Sequence, residues 1–334
     1  MLDIAAELER ALEAGHRVGV VTVAAVHGSA PRAVGSAMAV IDDGRVIGAI
    51  SGGCVESEAH ELALAALRGD GTRATTLGLS DEDALLAGLA CGGHLTVVAT
   101  VVQPADAPVR EQLRLASEGR AAALDVVVAD GSLSAPPRAA AAPAATELDG
   151  DVLRLRRAPA PRLVIVGAVD FSAALATAAR PLGYRVTVVD ARPAFATAER
   201  HPDAHEVIRA WPGEYLAATT IGPRDAICVL THEERFDIPA IVAALSTEAA
   251  YVGAMGSRRT DARRRELLRE AGVGEQALAR LRSPIGIDVG AVTPAETAIS
   301  IVAEIVADAR AAQAPPRLSE TAGPLHARDG ARTS

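Results

Sequence analysis

Leu163-Val164-Ile165-Val166-Gly167-Ala168-Val169-Asp170-Phe171-Ser172 is the stretch that decides the fold. Four apolar residues stopped by a glycine read as a short buried strand, and the spacing after them predicts a helix over residues 172–182. Gly183 ends that helix, and residues 184–189 read as the next strand, closed by Asp190. Further out, residues 226–230 and 250–252 are two more apolar strands, each followed by a helical pattern. Such alternation implies a parallel sheet covered on both faces. Thr293-Pro294-Ala295-Glu296 opens the last helix, with Thr at the cap, Pro at the first position and Glu at the third. That helix should run to about residue 311, before a polar, Pro-containing tail over 314–334 that reads as disordered.

A glycine after the first strand and an acid ending the second form half of a dinucleotide-binding fingerprint. Gly167 and Asp190 are separated by close to the roughly 20 residues expected between phosphate turn and ribose-binding acid. Val169 stands where the second glycine would let backbone approach a pyrophosphate, and Asp170 adds negative charge there. Two readings follow: NAD(P) bound in the usual pose, or a sheet that keeps the architecture without that ligand. Ligands of such sheets gather at the carboxyl ends of the strands, where Arg192, Thr231-His232-Glu233-Glu234 and Gly256-Ser257-Arg258-Arg259 fall. Gly and Ser before an Arg pair at a helix start suit an anion site. The alternative places Arg258 and Arg259 on a solvated helix with Arg263, Arg264 and Arg265.

The N-terminal part has another rhythm. Residues 3–14 carry apolar positions at four-residue steps (Ile4, Leu8, Leu12), and residues 18–26 read as a buried strand. A small-residue loop follows, His27-Gly28-Ser29-Ala30-Pro31-Arg32-Ala33-Val34-Gly35. Strands over 38–41 and 45–50 are joined by Asp42-Asp43-Gly44, a hairpin signal. Ser51-Gly52-Gly53-Cys54 then leads into a helix over 55–67, and strands over 73–77 and 95–102 flank Cys91-Gly92-Gly93. The expected organisation is a small α/β domain (1–103), a connecting segment with an Ala/Pro-rich linker (104–160), and a doubly wound, Rossmann-like parallel-sheet domain (161–313).

A thiol between a diglycine bend and a helix start sits at the positive end of the helix dipole, which favours its thiolate. Cys54 is therefore a candidate nucleophile, sulfur carrier or ligand to a soft metal; the alternative is a small residue filling a tight turn. Glu56 shares its first helical turn. Cys91 is a second loop thiol, followed by His94. Neither cysteine has a partner at the spacing of a structural zinc site. Cys228, inside an apolar strand, belongs to the core. Ser29 and Arg32 lie on a loop whose composition suits anionic groups.

Composition narrows the class. The chain of 334 residues contains no lysine and no asparagine, so all 33 basic side chains are Arg. That excludes a lysine Schiff base and a Walker-type lysine. A net charge of −9 and 2% aromatics argue against nucleic acid as partner. No apolar stretch reaches the roughly 18 residues of a membrane span, and the acidic Met1-Leu2-Asp3-Ile4 is no signal peptide. Three unevenly spaced cysteines make no disulfide framework, so the chain reads as cytoplasmic.

Taken together, Gly28-Ser29-Ala30-Pro31-Arg32, Ser51-Gly52-Gly53-Cys54-Val55-Glu56, Cys91-Gly92-Gly93, Asp190-Ala191-Arg192-Pro193, Gly256-Ser257-Arg258-Arg259 and Pro284-Ile285-Gly286 resemble the XdhC/CoxI family of xanthine dehydrogenase accessory proteins. The resemblance implies a chaperone that binds the molybdenum cofactor (molybdopterin) transiently, assists its sulfuration by a cysteine desulfurase and inserts it into an apo molybdenum hydroxylase of the xanthine dehydrogenase type. It makes Cys54 the candidate catalytic residue and Cys54 and Cys91 the metal contacts. Ser29, Arg32, Gly52, Gly53 and Glu56 would surround the pterin. Gly167, Asp190, Arg192, Ser257, Arg258 and Arg259 would supply contacts from the second domain, the Arg pair taking the phosphate. A homodimer is compatible with this reading. The competing reading is an NAD(P)-dependent oxidoreductase or a xanthine dehydrogenase-associated subunit; against it stand the absence of a flavin motif and of an iron–sulfur cysteine cluster.

Overall fold

The computed structural model describes residues 1–28, 32–70, 73–79, 93–136, 145–309 and 319. The chain divides into two units, Met1–Pro159 and Ala160–Ser334.

In the first unit a helix α1 (Ala5–Glu13) precedes the long strand β1 (Val18–Gly28) and the hairpin β2 (Ala37–Ile41) and β3 (Val46–Gly48). Helix α2 (Glu56–Arg68) and strands β4 (Ala74–Leu79) and β5 (Gly93–Val102) complete a five-stranded antiparallel sheet in the order β3-β2-β1-β5-β4. Period-two alternation along β1 decides what each face buries. Val21 and Val23 pack under α2 with Val55, Ala59 and Ala63, whereas Val18, Val20 and Ala24 face a second core with Leu8 and Leu12 of α1.

The segment expected as a connector contributes to that second core. Helix α3 (Ala107–Ser117) and strands β6 (Ala122–Val127), β7 (Leu133–Ser134), β8 (Glu147–Asp149) and β9 (Val152–Arg157) form a four-stranded sheet, order β7-β6-β9-β8, with its helix. Leu113, Leu124, Leu153 and Leu155 are fully buried beside α1. Each such leucine contributes about 1.5–3 kcal/mol. Residues 137–144 of the Ala/Pro run, like the tail beyond Ala309 apart from Ser319, lie outside the described residues.

The second unit is a six-stranded, all-parallel sheet built of β10 (Arg162–Val166), β11 (Arg185–Asp190), β12 (Glu206–Arg209), β13 (Ala226–Val229), β14 (Tyr251–Ala254) and β15 (Leu281–Arg282). Its order, β12-β11-β10-β13-β14-β15, is the doubly wound order with its reversal between β10 and β13. Leu163 and Ile165 face a core shared with α4 (Asp170–Ala179) and α9 (Pro294–Ala309). Val164 and Val166 face the opposite core, shared with α5 (Pro212–Ala218), α6 (Glu234–Leu245), α7 (Arg258–Glu270) and the short α8 (Glu275–Leu278).

Helix α4 stops three residues short of the predicted end. Pro181 lacks the amide that would continue the ladder, so Arg180–Leu182 tighten into a 3-10 turn closed by Gly183 at φ +83°. The predicted cap of α9 forms as read: Thr293 Oγ1 accepts from the Glu296 amide, and Glu296 Oε2 accepts from the Thr293 amide.

Candidate functional site

The diglycine bend of the first unit is shaped from within. Glu56, one residue into α2, turns its carboxylate back on the loop, where Oε1 accepts from the Ser51 amide (2.8 Å) and Oε2 from Ser51 Oγ and the Val55 amide (3.2 Å). Ser51 Oγ in turn accepts from the amides of Gly53 (3.2 Å) and Cys54 (3.1 Å). Burial works to raise the Glu56 pKa, but the hydrogen bonds from Ser51 and from the loop amides outweigh it and hold the group below the ordinary carboxylate range. Glu56 is thus committed to the bend itself, and the amides of Gly53 and Cys54 point to Ser51 Oγ.

What the bend presents outward is the Cys54 side chain and open backbone. Cys54 is exposed, while its neighbour Val55 is anchored in the core with Val21 and Val23. A Cβ at Gly52 or Gly53 would meet nothing within 4 Å, and only Gly53, at φ +115°, needs glycine for its backbone. Among the described residues the packing therefore leaves clear space over the diglycine segment.

Geometry also places this bend relative to β1. Gly19 lies so close to α2 that a Cβ there would be 2.5 Å from the Ala63 carbonyl oxygen. From Ala63 back to Val55 the helix covers about 12 Å, a span of about four strand residues, so the start of α2 lies toward the carboxyl half of β1. At that end the rings of His27 and His94, cross-strand partners in β1 and β5, stack with centroids 4.6 Å apart. Sequence reasoning does not pair them; the signal available is a histidine flanking each of two glycine loops.

The other expected contacts divide. Arg32 donates to Asp3 (3.3 Å), which leads into α1 on the sheet face opposite α2, so Arg32 and Cys54 are not brought together. An exposed pair of this kind is worth about 0–1 kcal/mol. Ser29 and Cys91 lie outside the described residues. Among the described residues no group of three or more His, Cys, Asp or Glu could hold a metal ion. Cys228 is fully buried, and burial pushes its thiol above the usual range.

In the second unit the fingerprint residues have internal partners. Gly167, at φ +100°, carries no Cβ because one would lie 2.3 Å from Thr231 Cγ2. Asp190 is 2% exposed. Its Oδ1 accepts from the amide and Nε of Arg192 (2.8 and 3.0 Å), and Oδ2 from the Ala168 amide and Arg192 Nη2 (2.7 and 2.8 Å). A carboxylate offers about four lone-pair sites, so the acid that would hold a ribose is filled. Burial alone would raise the Asp190 pKa; these bonds hold it below the usual range. Arg192 continues to Glu233 (3.0 Å) and lies 4.5 Å above the Phe195 ring, spanning the ends of β11 and β13.

An open cavity of about 580 Å³ stands instead beyond the carboxyl ends of β14 and β15. Gly256, Ser257, Arg258 and Arg259 form one wall at the start of α7, with Ser257 Oγ capping the Thr260 amide (3.1 Å). Arg264, which the alternative reading puts on a solvated helix, is 3% exposed. It pairs with Asp237 (3.2 Å) and donates to Ser283 Oγ (2.9 Å) and the Met255 carbonyl (2.8 Å), while Thr231 donates to the same Asp237. One buried guanidinium thus ties the ends of β13, β14 and β15 behind the cavity. Helix periodicity alone could not separate Arg264 from Arg263, because the apolar face of α7 is interrupted by this charge.

Similarity to known proteins agrees with the division into units. The family model described as XdhC and CoxI family matches residues 11–78, which include the Cys54 bend, and the XdhC Rossmann domain model matches residues 163–305. Over 323 residues, 90% of this chain and 95% of the other, the sequence is 30% identical to a Bacillus subtilis protein named as a probable subunit of xanthine dehydrogenase. The chain belongs to the XdhC/CoxI family. The molybdenum cofactor insertion chaperone PaoD of Escherichia coli is 28% identical over 88% of this chain and 84% of its own. A crystal structure described as a xanthine dehydrogenase from Bacillus halodurans superposes with TM-score 0.72 at 27% identity, covering 92% of this chain and 96% of that one.

Proposed function

We propose that this chain is a molybdenum cofactor chaperone: it takes the cofactor as cargo, keeps it during sulfuration by a cysteine desulfurase, and delivers it in the cytoplasm to an apo hydroxylase of the xanthine dehydrogenase type. The observation that carries the reading is the exposed Cys54 thiol beside an open diglycine backbone, on a bend locked by Ser51 and Glu56. Sulfur suits a soft metal centre. A single sulfur contact also fits a carrier, since cargo held by one exchangeable ligand can be released to an apo-enzyme. The relative with chaperone activity in its name aligns along most of the chain. A homodimer is compatible with this function.

The competing reading, an NAD(P)-linked oxidoreductase, meets two obstacles in these residues. Asp190 has no acceptor left for a ribose, and Val169 stands where a second glycine would let backbone approach a pyrophosphate. The test is to produce the protein and its Cys54→Ala variant in cells that make molybdopterin, then assay bound molybdenum and pterin. The account expects the metal to be lost from the variant while the melting temperature stays unchanged, because Cys54 is exposed. Equal metal content in both proteins would overturn the role of Cys54.

A further inference from the structure

The cavity of the second unit brings a cationic helix start, an apolar wall and a carboxylate to one space. We propose that it seats a phosphomonoester of a 2-amino-4-oxo heterocycle, the chemistry shared by molybdopterin and guanosine monophosphate, and that it does not take an extended dinucleotide. Only the choice between those two sources rests on the carrier reading; the ligand class rests on the cavity.

The usual ligand groove of a doubly wound sheet straddles the strand reversal. Here its ribose half is closed by the chain itself, with Arg192 in the lone pairs of Asp190 and Thr231 against Gly167. The open half, about 580 Å³, has the volume of a small-molecule pocket, roughly 300–1,000 Å³. Its polar features sit on separate segments. Arg258 and Arg259 stand at the positive end of α7, a helix of 13 residues, and match a phosphate. Phe171, Met255, Pro284 and Ile285 supply flat apolar wall for a ring. Asp288, on the loop after β15, is exposed and lines the same cavity. A carboxylate accepts two hydrogen bonds side by side, which is what the amino and ring N–H edge of a 2-amino-4-oxo ring donates. Adenine presents one donor and one acceptor on the corresponding edge and leaves the second oxygen unmatched. Behind the site, the buried Arg264–Asp237 pair fixes the strand ends that carry Met255 and Ser283.

The test uses the full chain and four probes: the fluorescent phosphopterin made by acid–iodine oxidation of molybdopterin, GMP, AMP and NADH, titrated by fluorescence and calorimetry. The proposal expects the phosphopterin and GMP to bind, with GMP at least tenfold tighter than AMP and NADH no tighter than AMP. Dephosphorylating the pterin, or Arg259→Glu on the exposed helix start, should weaken binding at least tenfold. Asp288→Asn should erase the preference for GMP over AMP. Phosphopterin tighter than GMP assigns the seat to the cargo, and the reverse order assigns it to a guanine nucleotide; either supports the ligand class. Absence of binding by both rings, unchanged binding in both variants, or NADH as the tightest ligand would overturn it. Molybdenum retained by a protein that binds neither ring would sink this cavity and leave the carrier reading standing. Ring binding by a protein that never retains molybdenum would do the opposite.

Discussion

His201 shows how much one side chain can decide and how little of it a sequence announces. It is 2% exposed, and among the described residues neither ring nitrogen has a hydrogen-bond partner. Burial, reinforced by Arg200, pushes its pKa below the usual histidine value, against Asp170 and Asp190. The folded state therefore holds fewer protons than the unfolded one. Stability is full above the unfolded pKa of about 6.5 and is lost as pH falls through it toward the lower folded value. Urea unfolding at pH 7.5 and pH 5 should show a drop in the wild type that His201→Leu reduces; an identical drop in both would contradict this assignment. Nothing in His201-Pro202-Asp203 signals burial, since the loop reads as polar. Cys54 is legible for the opposite reason: glycines and a helix start are local features, and they fix its setting without help from distant residues. Glu56 is half legible. Its position in the first turn can be read, but its commitment to Ser51 depends on a bend only coordinates reveal.

At the scale of elements, periodicity carries most of the reading where strands are apolar throughout or alternate cleanly. Strands β10, β11, β13 and β14 and helices α2, α4 and α9 stand close to where the pattern places them. The edge strands β12 and β15 do not announce themselves; one carries Glu206 and Arg209 and the other is two residues long. Helix α7 reads as a solvated surface because arginines crowd it, although Arg264 is the buried clamp of three strand ends. Removing one partner of a buried pair leaves the other charge unmatched and costs about 3–5 kcal/mol. Arg264→Ala is thus expected to lower the stability of the second unit by that order, measured by urea unfolding. A loss under about 1 kcal/mol, the worth of an exposed pair, would show that the clamp does not act as described.

Across the whole molecule, the order of strands in the second unit matches a dinucleotide fold, while the residues at its reversal fill the seat themselves. Fold and ligand thus part company, as they do on other widely used architectures. The glycine spacing already hints at it through Val169, but the closing of Asp190 by Arg192 needs the structure. The single tryptophan, Trp211, lies 5.1 Å from Phe236, which Arg192 also approaches, and reports on this edge. Titration with NADH is expected to leave Trp211 emission without a saturable change; a saturable quench competed by NAD would restore the oxidoreductase reading. Among the described residues no helix is long and apolar enough to cross a membrane.

The sulfur contact itself can be observed directly. Molybdenum K-edge absorption on the loaded wild-type protein and on Cys54→Ser, saturated with cofactor so that both carry metal, compares the ligand shells of the two. The account predicts one metal–sulfur scatterer fewer in the variant. Identical sulfur shells in the two proteins would contradict it.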